Sequence, residues 1–206
     1  MTVAIALRSE AETLSATLYG DLPARRAAIL VHGQMWDASG WADVAPRFVA
    51  RGIPALALDL RGKGRSTGTT NDFVPGQPWS PVADLAAAKA HLRAGGVQEI
   101  ALVGASLGGH AVMASSFERD NECLVSISSP VVPVADELSR RLHGRKLFVC
   151  AKGDPAFAKV LATFEVTPEP KVLVTFGGDK HSRSMFDQPY AEEMWDLILD
   201  FVTRGS

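Results

Sequence analysis

The stretch Ile100-Ala101-Leu102-Val103-Gly104-Ala105-Ser106-Leu107-Gly108 decides how the rest of the chain is read. Its opening apolar run reads as a strand covered on both faces, and His110-Ala111-Val112-Met113-Ala114 beyond it reads as a small-residue helix. The Gly-x-Ser-x-Gly pattern between them marks a sharp strand-to-helix turn. Glycines two residues to either side of the serine let strand and helix approach closely, so the Ser106 hydroxyl stands exposed at the sheet's edge on a strained backbone. A serine so placed is a candidate nucleophile.

Outward from this turn the chain alternates short apolar runs with helical patterns. A polar Arg8–Glu12 link joins strand candidates Val3–Leu7 and Leu14–Tyr19; further candidates are Ala27–His32, Ala55–Leu60, Glu99–Gly104, Leu124–Ser128, Lys146–Ala151 and Val172–Phe176. Most are continuously apolar, as strands buried on both faces must be, which predicts an α/β fold with a mostly parallel sheet. The spacing predicts helices over Trp41–Arg51, Pro81–Ala94, Leu107–Phe117, Ala135–Leu142, Pro155–Phe164 and Pro189–Val202. In the second of these Ser80 is a candidate cap, Pro81 suits the first helical position and Gly95-Gly96 suits the end. Its stripe of Val82, Leu85, Ala86, Ala88 and Leu92 is expected to be buried, with Asp84, Lys89, His91 and Arg93 mostly toward water. In the last helix Met194, Leu197, Ile198 and Phe201 form the apolar face.

The chain's 206 residues, 47% of them hydrophobic, are enough for one core and too few for two full domains, so residues 1–206 are read as a single domain. A net charge of −2 provides no basic field for a phosphate backbone, so nucleic acid is not an expected partner. With no apolar run of membrane-spanning length and no leader pattern at the N-terminus, the expectation is a cytoplasmic protein without membrane association. Cys123 and Cys150 lie in separate apolar runs and read as buried thiols rather than a disulfide or metal pair. No cofactor and no metal is called for, and the chain is expected to be a monomer or a homodimer.

A serine hydroxyl is a weak nucleophile at neutral pH and needs an imidazole to take its proton and a carboxylate to orient that imidazole. Asp154 follows the run Lys146–Ala151, and His181 follows Val172–Phe176. In a parallel sheet both lie at the carboxyl ends of strands, the edge that presents Ser106. Together with His32-Gly33, Asp59-Leu60-Arg61-Gly62-Lys63-Gly64-Arg65-Ser66 and the acid-then-histidine order after Ser106, these residues make the chain resemble the α/β-hydrolase superfamily along nearly its whole length.

The resemblance implies an eight-stranded, mostly parallel sheet flanked by helices, with Ser106 as nucleophile, His181 as base and then acid, and Asp154 as orienting carboxylate. It is similar to lidless, dienelactone-hydrolase-like esterases, because only Val131–Arg145 separates the sixth and seventh strands and no cap domain fits there. Implied too is an oxyanion hole from the backbone N–H groups of Leu107 and Gln34. Some members carry the acid after the sixth strand, which makes Asp136 the competitor of Asp154. Asp179 reads as a turn former, His32 as a loop-ordering residue, His110 as packed or solvated, His143 as a helix end and Asp59 as part of a structural turn. Met35, Trp36, Phe73 and Trp79 are candidates either for the pocket wall or for packing the loops down. The expected activity is hydrolysis of a small or medium carboxylic ester, thioester or lactone, with a small-molecule acyl substrate as the partner. The alternative is a hydrolase-fold protein that binds ligands or partners without catalysis.

Overall fold

The computed structural model describes residues 1–74, 77–115, 121–129 and 142–204. Eight strands form one sheet in the order β1-β2-β4-β3-β5-β6-β7-β8: β1 (Thr2–Ser9), β2 (Glu12–Tyr19), β3 (Arg26–Val31), β4 (Ala55–Leu58), β5 (Glu99–Ala105), β6 (Asn121–Ile127), β7 (Arg145–Ala151) and β8 (Lys171–Phe176). β1 and β2 pair antiparallel, β2 pairs antiparallel with β4, and the remaining neighbours are parallel. From β3 the chain moves one way to β4 and then crosses to β5 on β3's other side. The loops after β3 and β5 therefore diverge from adjacent strand ends, which is where a crevice opens in a sheet of this kind.

Helices α1 (Ala45–Ala50) and α5 (Ala191–Thr203) cover one face; α2 (Ser80–Ala94), α3 (Leu107–Ser115) and α4 (Phe157–Val166) cover the other. Alternation along β3 supplies both layers. Ile29 and Val31 pack with Leu85, Leu92 and Val112, whereas Ala28 and Leu30 pack with Trp41, Phe48 and Trp195. On α5 the buried stripe is Met194, Trp195, Ile198, Leu199 and Val202, with Leu197 and Phe201 only partly covered beside it.

Several expectations change. The helix expected over Trp41–Arg51 splits into a 3₁₀ turn, Ala38–Trp41, and the short α1, because Pro46 lacks an N–H and fits only the first helical turn. Ser80 does not cap α2; it is the first helical residue, after Trp79 in extended backbone. Asp84 and Lys89 do not face water. Asp84 is wholly buried and accepts from Arg61 Nε at 2.9 Å, Arg61 Nη2 at 2.7 Å and Ser9 Oγ at 2.9 Å. Lys89 Nζ donates to Ser115 O at 3.2 Å, at the end of α3. The expected helix Ala135–Leu142 falls, up to residue 141, outside the described residues, as does Asp136. Among the described residues no helix is long and apolar enough to cross a membrane.

Candidate active site

At the end of β5, Ser106 takes φ of +52°, the left-handed region that an L side chain occupies only at a cost. Its N–H donates to Ile127 O of β6 at 2.9 Å, and its C=O accepts from His110 N–H at 3.1 Å, opening α3. The flanking glycines are steric requirements of this turn. A Cβ at Gly104 would lie 2.2 Å from Gly108 O, one at Gly108 2.1 Å from Val31 O, and one at Gly109 2.4 Å from Ser129 Cβ.

Asp154 and His181 ride on two loops laced together at the carboxyl ends of β7 and β8. Lys152 N–H donates to Phe176 O at 2.9 Å and Gly153 N–H to Gly178 O at 2.8 Å. Beyond His181, the 3₁₀ turn Ser182–Met185 leads into Phe186, which packs on Trp41 and Trp195 at ring separations of 5.4 and 4.7 Å. This aromatic anchor holds the histidine loop against α5.

The three side chains then meet. His181 Nε2 lies 3.0 Å from Ser106 Oγ, and His181 Nδ1 lies 3.0 Å from both Asp154 oxygens. The buried carboxylate fixes the tautomer: Nδ1–H donates to Asp154, leaving Nε2 to accept the serine proton. Burial alone would raise the pKa of Asp154, but hydrogen bonds from His181, the Ala156 N–H at 2.7 Å and the Ser128 hydroxyl hold it below the usual carboxylate value. Beside it, burial and then the Asp154 charge push the Cys150 thiol up to about 12, so it stays protonated.

Ser128 and Ser182 carried no signal in the sequence. Each has φ near +50°, at +50° and +55°, and each adjoins the Ser106–His181–Asp154 chain: Ser128 reaches Asp154, and Ser182 follows His181 directly. A serine at a strand end is too common to single out; only the backbone conformation does so.

The loop after β3 lies against the serine. A Cβ on Gly33 would sit 3.3 Å from Ser106 Cβ and 3.3 Å from Ser182 Oγ. Gly33 O accepts His32 Nδ1–H at 2.9 Å and Trp36 N–H at 3.0 Å, while His32 Nε2 accepts Leu60 N–H at 3.2 Å. Burial lowers the His32 pKa, so this ring is a neutral brace, as its position suggested. The Gln34 N–H, on the opposite side of the pinned Gly33–Gln34 peptide, has no acceptor among the described residues. Leu107, first in α3, offers an N–H with no intrahelical acceptor, at the positive end of the helix dipole.

Of the four apolar candidates, Met35 and Trp36 are exposed and line an open cleft of about 500 Å³ together with Gln34, Asp37, Ser39 and Gly62–Gly64. Phe73 and Trp79 instead pack against His110, edge-on and tilted respectively, each at a ring separation of 4.5 Å, with Trp79 Nε1 donating to Asn71 O at 3.0 Å. That cluster buries His110 and pushes its pKa down to about 4. Asp59 accepts from Ala38 N–H at 2.7 Å and Arg65 N–H at 3.1 Å, as a structural turn requires.

The fold and this elbow define a hydrolase scaffold. The chain belongs to the alpha/beta hydrolase family, whose model matches residues 28–204. No curated protein matches it. Among solved structures, a predicted CIB-like hydrolase from Thermoplasma acidophilum is similar at 18% identity over 98% of each chain, with a TM-score of 0.81. Est1E from Butyrivibrio proteoclasticus, solved with ferulic acid bound, is 18% identical over 97% of this chain and 96% of its own, at a TM-score of 0.79. A Pyrococcus furiosus esterase is 17% identical over 100% of this chain and 91% of its own, at 0.78. At such identities the likeness is one of fold.

Proposed function

We propose that this protein is a serine hydrolase that cleaves small or medium carboxylic esters, or the related thioesters and lactones, through an acyl-enzyme. The observation that carries the reading is the continuous hydrogen-bonded chain from Ser106 Oγ through His181 to the buried Asp154. In the first half-reaction Ser106 Oγ attacks the acyl carbon and His181 Nε2 takes its proton. The carbonyl oxygen becomes an oxyanion facing the N–H groups of Leu107 and Gln34. Collapse breaks the bond to the leaving group, which departs with the proton from His181. Water, deprotonated by the same nitrogen, then releases the acid and restores the serine.

The open cleft of about 500 Å³ beside Gln34, with Met35 and Trp36 on its wall, supports short acyl and alcohol groups as the first substrates to try. Esterase relatives and the ferulic acid bound to Est1E support including aromatic acyl esters among the trial substrates. The test is hydrolysis of a nitrophenyl ester series with wild-type protein, Ser106→Ala and His181→Ala. Short esters are expected to turn over faster than long ones, and each substitution to lower kcat by about 10⁴-fold or more. Undiminished turnover in folded Ser106→Ala would overturn the reading.

A further inference from the structure

The Asp59–Ser66 turn contributes one side chain that neither the fold nor the proposed chemistry has used. Lys63 is half-buried on the cleft wall, and its ammonium donates to Gln34 O at 2.7 Å. Among the described residues no carboxylate pairs with it; Asp37, on the same cleft, accepts from Ser39 N–H at 2.8 Å. The turn that carries Lys63 is rigidly built. Lys63 N–H donates to Leu60 O at 3.0 Å, Gly62 and Gly64 take φ of +74° and +51°, and a Cβ on Gly64 would meet the Asp59 carboxylate at 2.3 Å.

Gln34 is therefore clamped on both flanks. The carbonyl before it, Gly33 O, is held by His32 and Trp36, and its own carbonyl is held by Lys63. The Gln34 N–H lies in the Gly33–Gln34 peptide plane, held through Gly33 O, and Lys63 holds the next plane through Gln34 O, so the backbone torsions of Gln34 are fixed from both sides; the charge-assisted bond from Lys63 is the stronger kind of tether. We propose that Lys63 is a positioning residue of the oxyanion hole: by holding the Gln34–Met35 peptide its ammonium fixes the Gln34 backbone torsions, so that the Gln34 N–H in the preceding peptide is preorganised for the oxyanion on an acyl group carried by Ser106. The positive charge one residue from that N–H adds to the field stabilising the oxyanion, which forms only as the reaction proceeds. The inference rests on the serine-hydrolase reading and extends it to a side chain remote from the triad in sequence.

The experiment compares wild type, Lys63→Met and Lys63→Arg in short-ester hydrolysis and in affinity for an arylboronic acid, which adds to the serine as a tetrahedral anion. Lys63→Met is expected to lower kcat and boronate affinity together by about tenfold or more, with KM changed less than about twofold, and Lys63→Arg to recover much of the loss. A third variant removes dependence on the folding of Lys63→Met. Lys63→Cys, alkylated with 2-bromoethylamine, regains an ammonium at nearly lysine length, while Cys123 and Cys150 are buried from the reagent. Its kcat is expected to rise on alkylation. Lys63→Met with kcat and boronate affinity within about twofold of wild type, or an alkylated Lys63→Cys that regains nothing, overturns the role of Lys63 and leaves the serine-hydrolase reading standing. Wild type that neither hydrolyses esters nor binds the boronate overturns both.

Discussion

His110 makes the stability of this fold depend on pH. One turn past Ser106, it is buried against Phe73 and Trp79, and desolvation lowers its pKa from 6.5 to about 4. The unfolded chain takes the proton near the ordinary value and the folded chain only near the lowered one. Stability is thus whole above the ordinary value and drains away as pH falls toward the lowered one. Between about pH 7 and about pH 5 the loss is roughly 2 kcal/mol. Thermal melts of His110→Leu, whatever its absolute stability, should show that pH-linked loss removed; an equal decline in both proteins would contradict the assignment. That Ser106, Asp154 and His181 would lie at one sheet edge could be read in advance, because the carboxyl ends of parallel strands dictate their places. The burial of Asp84 and Lys89 could not be read in advance: their partners lie far off, Ser9 75 residues and Ser115 26 residues away, and helical periodicity carries no information about distant polar partners. The contact of Lys63 with Gln34 spans 29 residues and is invisible to local patterning for the same reason.

Among the elements, the elbow is the part most tightly specified by steric exclusion. Gly108 packs directly under Val31 O and His32 O, where an added Cβ would approach to 2.1 and 2.7 Å, and both obstacles are backbone. Gly108→Ala should therefore destabilise the fold by about 3 kcal/mol or more, or prevent folding. Gly177, whose Cβ would meet nothing within 4 Å, is the control. Gly177→Ala should change stability by no more than about 0.5 kcal/mol. Chemical denaturation reads both, and equal effects would mean that the elbow's glycines do not serve close approach. Strands were legible because burial on both faces leaves a continuous apolar run. The first helix was misread because Val44 and Phe48 have helical spacing, while Pro46 decides where the helix can begin.

At the scale of the molecule, the sheet order is what makes a site out of distant segments. Crossing from β4 to β5 beside β3 brings the Gly33 loop against Ser106, and the neighbouring ends of β7 and β8 deliver Asp154 and His181 to the same edge. The two cores fix those edges rigidly, while the buried Arg61 ties the β1–β2 turn, through Ser9 and Glu10, to Asp84 on α2. The proposed hydrolysis depends on the convergence of Ser106, His181 and Asp154, residues 75 and 27 positions apart along the chain. The most direct test is the rate of covalent labelling by a fluorophosphonate, with the adduct mapped by mass spectrometry, in wild type and in Asp154→Asn. The account predicts an adduct on Ser106 that forms about 10³-fold more slowly once the carboxylate is replaced. No adduct on Ser106 in folded wild type, or labelling of Asp154→Asn at the wild-type rate, would contradict it.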